Sequence, residues 1–193
     1  MKESLLWVDI ETTGLFPDKG YPLEIAFRLT DRNLNDLASY ESVVLWQGAE
    51  KKKVMDSFAP AARDMHEKNG LLQLIEQEQG KTIERIESEA ILHLLVADKD
   101  DDYWRPCKIA GSKPGFDRDW LHYWFPHLAR LPHYRDFDMN TVRSLFRVPK
   151  PPEHQQGHRA MEDLLIDLNL MRKVKEILDQ TKLYEVFEMI YEK

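Results

Sequence analysis

Cysteine is almost absent. Cys107 is the sole one among 193 residues, so no disulfide can close within the chain. A single thiol fits a reducing compartment and reads as a small buried residue. Long apolar runs are absent too, and nothing approaches the ~20 residues of a membrane span. The first residues lack a basic segment followed by a long apolar stretch, so no secretory signal is expected and the expected address is cytoplasmic. Net positive charge is also lacking: Lys plus Arg is 27 and Asp plus Glu is 34, which gives −7. Such a balance excludes a long, sequence-blind nucleic-acid binder, which carries a basic surface. It does not exclude a protein that grips a short polyanion through metal ions. No internal repeat or low-complexity segment is present. What remains is 42% hydrophobic and 32% charged, the composition of a globular protein with room for one core.

Apolar runs at 4–10, 22–31 and 38–46 read as strands, the last two joined across the polar stretch 31–36. Helical periodicity follows from Pro60 to about Ala97, then a charged loop at 98–102 and a short apolar strand at 108–111. Gly115 and Phe116 are expected to open a helix. Trp120, Tyr123, Trp124 and Phe125 on it recur at spacings that favour a core or subunit interface over base stacking. The run at 148–152 reads as a stiff proline-rich loop, and the chain from about Gly157 as amphipathic helix. Strands first and helices interleaved later predict an α/β fold with a mixed central sheet flanked by helices. One domain is expected over 1–193, with about 174–193 as a helical extension.

Chemistry enters at the end of the first strand. Asp9 and Glu11 stand two residues apart, which on a strand puts both carboxylates on one face. Beside an apolar run such a pair is costly unless a positive group neutralises it, and a divalent cation does so through hard oxygen ligands. The other reading is a strand end emerging into solvent. Asp117 follows the 108–111 strand, and His158 and Asp163 stand near the start of the late helix. Asp117 also fits a first-turn acid favoured by the helix dipole. Five residues along an ideal helix rotate by about 500°. His158 and Asp163 would therefore not share a face if both were mid-helix. His158 is expected in the lead-in after Gly157, with Asp163 in the second turn.

The stretch Asp9-Ile-Glu-Thr-Thr-Gly-Leu15, then Asp117, then His158-Arg-Ala-Met-Glu-Asp163 resembles the three motifs of the DEDDh 3′→5′ exonucleases. The likeness is nearest to oligoribonuclease and runs from about residue 4 to 173. It rests further on Trp7-Val-Asp-Ile-Glu11, Met55-Asp56 with His66 and Gly70-Leu71, His133-Tyr-Arg135 leading to Asp138 and Thr141, and Gln156-Gly-His158. The resemblance implies an RNase H-like exonuclease fold. It implies a homodimer that trims short single-stranded RNA from the 3′ end to nucleoside 5′-monophosphates. Asp9, Glu11, Asp117 and Asp163 would hold two divalent ions, Mg²⁺ or Mn²⁺, and His158 would act as general base. Substrate contacts would come from Thr12, Leu15, His66, Arg135 and Thr141, with Phe58, Lys113 and Asn140 as further positions. Leu15 and Phe58 also read as core residues, and Arg135 as a surface or interface ion pair. Gly111-Ser-Lys-Pro-Gly-Phe116 departs from the family's Gly-Asn-Ser-Ile-Gly-Gln, and Asn140 replaces a serine, so single-stranded DNA stays open as a substrate. A non-catalytic oligonucleotide-binding module on the same fold is the remaining alternative.

Overall fold

The computed structural model describes residues 4–97, 107–149 and 157–181. The expected loop at 98–102, residues 150–152 of the proline-rich loop, Gln156 and the end of the C-terminal extension lie outside the described residues.

Five strands form one mixed sheet: β1 Ser4–Thr12, β2 Pro22–Asp31, β3 Asp36–Val43, β4 Lys108–Gly111 and β5 His133–Asp138, in the order β3-β2-β1-β4-β5. β1 and β2 are antiparallel, as are β2 and β3, while β4 and β5 run parallel to β1. The helices are α1 Gly48–Asp56, α2 Pro60–Lys68, α3 Leu71–Glu76, α4 Ile83–Ala97, α5 Pro114–Trp124, α6 Met139–Phe146 and α7 Ala160–Gln180, with a 3₁₀ turn at Leu128–Arg130.

β1 is central because both of its faces carry side chains that must leave water. Leu6, Val8 and Ile10 pack on one side with Ile25, Phe27, Ile109, Ile86, Trp120 and Leu121. Trp7, on the other side, packs with Ala26, Ala110, Met139, Ala160, Leu164 and Leu168. Ala160, Leu164 and Leu168 are spaced by four and make the inward stripe of α7. Each fully buried large apolar side chain here is worth about 1.5–3 kcal/mol. The indole N–H of Trp7 donates to Thr30 Oγ1 at 3.0 Å, so burying it leaves that donor paired.

The alternation that sends Leu6, Val8 and Ile10 to one face sends Trp7, Asp9 and Glu11 to the face that α7 covers. β4 pairs with β1 only from Leu5 to Trp7. Beyond that point one edge of β1 has no strand beside it, and the parallel strands end together. A cleft outside the carboxyl ends of parallel strands is the usual ligand position of such sheets. Gly111 ends β4 at φ +153, where a Cβ would sit 3.1 Å from the Val8 carbonyl oxygen, so glycine permits the close approach.

The chain departs from the sequence expectation in several elements. α1 was unforeseen, as were β5 and α6: α1 is polar, and β5 is an edge strand with its side chains largely exposed. The stretch of helical periodicity from Pro60 to about Ala97 holds three helices, separated at Asn69-Gly70 and by the turn after Gln77, where Gly80 has φ +127. β3 ends at Val43 rather than 46, and α5 opens at Pro114 rather than Gly115. Trp120 and Phe125 are fully buried, whereas Tyr123 is exposed. Cys107 is half-buried, and burial pushes its thiol up to about 11.

Candidate active site

Asp9 and Glu11 project from the last third of β1, and Glu11 is buried. Asp117 sits in the first turn of α5, buried, where its Oδ1 accepts from the Ile10 backbone N–H at 3.0 Å. That N–H is free for Asp117 because β4 stops short of it. Asp163 lies in the first turn of α7, one turn earlier than expected from sequence. His158 precedes the helix, as expected, and its Nδ1 lies 3.8 Å from Asp163 Oδ2. Its backbone is left-handed, with φ +49. A non-glycine residue held there costs of order 1 kcal/mol or more and persists only if its surroundings impose it.

The acids sense one another. Burial first, and then the like charges of Asp163, Asp167 and Glu24, push Asp9 up to about 8. Glu11 rises to about 9, first through burial and then through Asp9, Asp163, Glu24 and Asp117. Asp117 stands well above the usual carboxylate range, through burial and then Asp9. Asp163 is raised by burial, with His158 pulling the other way. Four acids from three elements therefore share one low-dielectric cleft, an arrangement that costs stability and calls for positive charge.

Among the described residues no group of three or more His, Cys, Asp or Glu side chains is set to hold a metal ion as it stands. Three of the four acids have other partners. Asp117 takes the Ile10 N–H, Glu11 lies 3.7 Å from His66 Nε2, and Asp163 faces His158. The cleft gathers the right groups without being a ready-made cage. The donor set itself fits Mg²⁺ or Mn²⁺: carboxylate oxygens are the ligands hard dications select. Asp163 Oδ1 is buried with no hydrogen-bond partner, an orphan acceptor on one of these acids.

The other sequence candidates divide by exposure. Leu15 is 74% exposed, so the core reading does not describe its place in this structure. Thr12 is buried, with its hydroxyl donating to the Gly14 carbonyl at 2.7 Å. His66 is fully buried; its Nε2 lies 3.2 Å from the Thr12 carbonyl, and burial lowers its affinity for a proton. Phe58 packs against the core and meets His66 edge-on at 6.2 Å. Lys113 is exposed, with a left-handed backbone and its N–H 3.4 Å from Asp138 Oδ1. Asp138 also caps α6 by accepting from the Asn140 N–H. This puts Lys113 and Asn140 at the same end of the sheet as the acids. Arg135 and Thr141 lie exposed on β5 and the first turn of α6, with the Arg135 guanidinium over the Tyr134 ring.

Two buried ion pairs flank the cleft that sequence reasoning missed. Glu24 on β2 receives Arg159 through both carboxylate oxygens and also accepts the Ala160 N–H at 3.0 Å, anchoring the start of α7. Arg143 on α6 binds Asp167 at 2.6 Å, one turn beyond Asp163. The signal for Glu24 was there: it is an acid inside the apolar run 22–30, and such a residue needs a buried partner.

No family model matches the sequence. The oligoribonuclease of Buchnera aphidicola is 31% identical over 183 residues, covering 89% of this chain and 94% of its own length. That of Escherichia coli K12 is 33% identical over 172 residues, covering 84% of this chain and 88% of its own. Among solved structures, Escherichia coli exonuclease I in complex with a dT13 oligonucleotide superposes with a TM-score of 0.62 at 17% identity, over 94% of this chain. Exonuclease I of Methylocaldum szegediense gives 0.61 at 19% over 90%. This chain spans 43% and 40% of those two chains, and at such identity the likeness carries the RNase H-like fold. Sequence likeness over nearly the whole length, on a fold that draws its four acids together at one sheet end, leads to one assignment: the chain belongs to the oligoribonuclease family of 3′→5′ exonucleases.

Proposed function

We propose that the chain hydrolyses short oligoribonucleotides from the 3′ end, releasing nucleoside 5′-monophosphates with two divalent ions and a histidine base. The observation that carries this reading is the mutual electrostatic strain of Asp9, Glu11, Asp117 and Asp163 in one cleft beside His158. Asp9, Glu11, Asp117 and Asp163 would hold the ions after small side-chain rotations. Bound there, the ions would polarise the scissile phosphate and lower the pKa of the attacking water. Four carboxylates against two dications leave the site near neutral, which lets an acidic protein accept a phosphodiester. His158 is 35% exposed at its side chain, so water can reach it, and it would take the proton of the attacking water. Leu15, exposed beyond β1, offers an apolar edge to a terminal base. His66, fully buried, would act on substrate only by holding Thr12 and Glu11 in place. Phe58, packed on His66, would support the same wall. Lys113 and Asn140 would meet phosphates at the sheet end. Arg135, through its bidentate fork, and Thr141 would reach a phosphate bound by a second subunit of a homodimer. A cytoplasmic address belongs to the same proposal. Among the described residues no helix is long and apolar enough to cross a membrane.

A second reading, single-stranded DNA as substrate, draws on structural neighbours that are complexes of exonuclease I with DNA oligonucleotides. A gel time course of end-labelled RNA and DNA, from two nucleotides upward, with Mn²⁺ or with chelator, tests both. The expected result is metal-dependent release of mononucleotides from RNA dimers to pentamers, faster than from matched DNA. Faster loss of DNA would overturn the RNA assignment, and turnover in chelator would overturn the metal assignment.

A further inference from the structure

His158 keeps a left-handed backbone at φ +49 although it is not glycine. Something must hold it there. The residues after it are fixed by the Arg159–Glu24 pair and the Ala160 N–H bond to Glu24, and the His158 N–H bonds the Asp163 carboxylate, which leaves the His158 carbonyl to be held. The His158 carbonyl itself is taken by Asn69, whose Nδ2 donates to it across 89 positions of sequence. Asn69 is the residue that ends α2, next to Gly70 at φ +81. Its Oδ1 accepts the Leu71 N–H at 2.9 Å. Both partners are unambiguous: one is a backbone acceptor, the other a backbone donor. The amide therefore has one workable orientation, because the flipped amide would set like against like at both ends. α2 also carries His66, which bonds the Thr12 carbonyl beside Glu11. One short helix thus touches both the acidic strand and the histidine lead-in.

We propose that Asn69 is a positioning residue for His158: its amide locks the strained peptide that aims the imidazole over the acidic cleft. The proposal rests on the reading of His158 as the base. It has a built-in isosteric test. Asn69→Asp keeps the size and the acceptor for the Leu71 N–H, but faces the His158 carbonyl with an oxygen in place of a donor. If Asn69 only terminates α2 and turns the chain, aspartate serves as well as asparagine. If it positions His158, aspartate fails.

The measurement is steady-state hydrolysis of an end-labelled pentaribonucleotide with Mn²⁺, for the native protein, Asn69→Asp, His158→Ala and the double variant. We expect kcat of Asn69→Asp to fall about 10–10²-fold, a part of the 10²–10⁴ that a positioned base supplies. KM and the Mn²⁺ midpoint should stay within roughly twofold, since the carboxylates are untouched. In the His158→Ala background the same substitution should change kcat less than about twofold, because there is no imidazole left to aim. The metal-free protein gives a second readout by NMR: one His158 ring signal in the native protein, and a shifted or doubled signal in Asn69→Asp. Native-like kcat and an unchanged ring signal in Asn69→Asp would overturn the proposal, as would a full loss on top of His158→Ala. An unaltered rate in His158→Ala alone would instead remove the general-base reading and the proposal with it. Should circular dichroism show Asn69→Asp unfolded, Asn69→Ala is read by the same criteria.

Discussion

β1 is one strand with two halves, and the site lives in their difference. From Leu5 to Trp7 the strand is paired on both edges, to β2 and to β4, and Leu6 and Trp7 are buried and apolar. From Asp9 to Thr12 it keeps β2 on one edge and loses β4 on the other, and two of its four side chains are acids. In the first half every buried group has what it needs. In the second half burial opposes charge, and Asp9 and Glu11 are pushed to about 8 and about 9. The same backbone is thus stabilising at one end and strained at the other. The strained end is where a ligand of opposite charge would return the energy.

Removing one acid should break this contrast most sharply. Asp163→Ala is expected to abolish hydrolysis, with loss of at least ~10³-fold in kcat, while the protein still folds. Substantial residual turnover would contradict the ligand assignment. Its effect on stability should be opposite in sign to that of a core substitution, because it relieves repulsion among Asp9, Glu11 and Asp163. In chelator at pH 8 the unfolding midpoint should not fall.

Trp7→Ala belongs to the other half. It deletes a fully buried indole and its bond to Thr30, and large-to-small changes of this kind cost about 3–5 kcal/mol. For a chain of this size that is roughly a 10 °C fall in the midpoint of thermal unfolding. A fall under ~2 °C would mean that the covered face beneath α7 is not a packed core.

A pH series separates the halves without mutation. Asp9 and Glu11 have folded values above their ordinary 3.8 and 4.5, so the folded state holds protons that the unfolded chain has released. Their contribution to stability is present below about pH 4 and is lost as the pH rises towards 8–9. Thermal unfolding in chelator should therefore show a midpoint that declines from pH 5 to pH 8.5. Asp9→Asn should flatten the decline, and Mn²⁺ should lift the midpoint most at the alkaline end. A midpoint that rises over that range in chelator would contradict the account.

The smallest structural effect is expected at Leu15. It is 74% exposed, so Leu15→Ala should leave stability within about 0.5 kcal/mol. It should nevertheless raise KM for a dinucleotide several-fold if the side chain meets a terminal base. An unchanged KM would return Leu15 to the ordinary surface.

Local spacing made Asp9 with Glu11 and His158 with Asp163 legible, and the family resemblance added Asp117 to them. Spacing also foretold that His158 stands outside the helix. The sequence left β5 and α6 invisible, since an edge strand reading His-Tyr-Arg-Asp-Phe-Asp has no apolar alternation to display. α1, with Lys51-Lys-Lys53, has no apolar periodicity to read; it is a helix whose Lys51 pairs with Glu78 at 2.6 Å. Glu24 with Arg159 and Asn69 with His158 stayed hidden for a different reason. Their partners lie 135 and 89 positions away, and nothing in a linear pattern records that meeting.

Whether the strained half of β1 is the wall of a two-cation site can be seen in a crystal structure of the protein grown with Mn²⁺, read by anomalous scattering at the manganese edge. Two peaks are expected between Asp9, Glu11, Asp117 and Asp163, with Asp117, Glu11 and Asp163 rotated off Ile10, His66 and His158 and onto the ions. Manganese bound elsewhere, or a cleft whose acids keep their present partners at saturating Mn²⁺, would contradict the two-cation site.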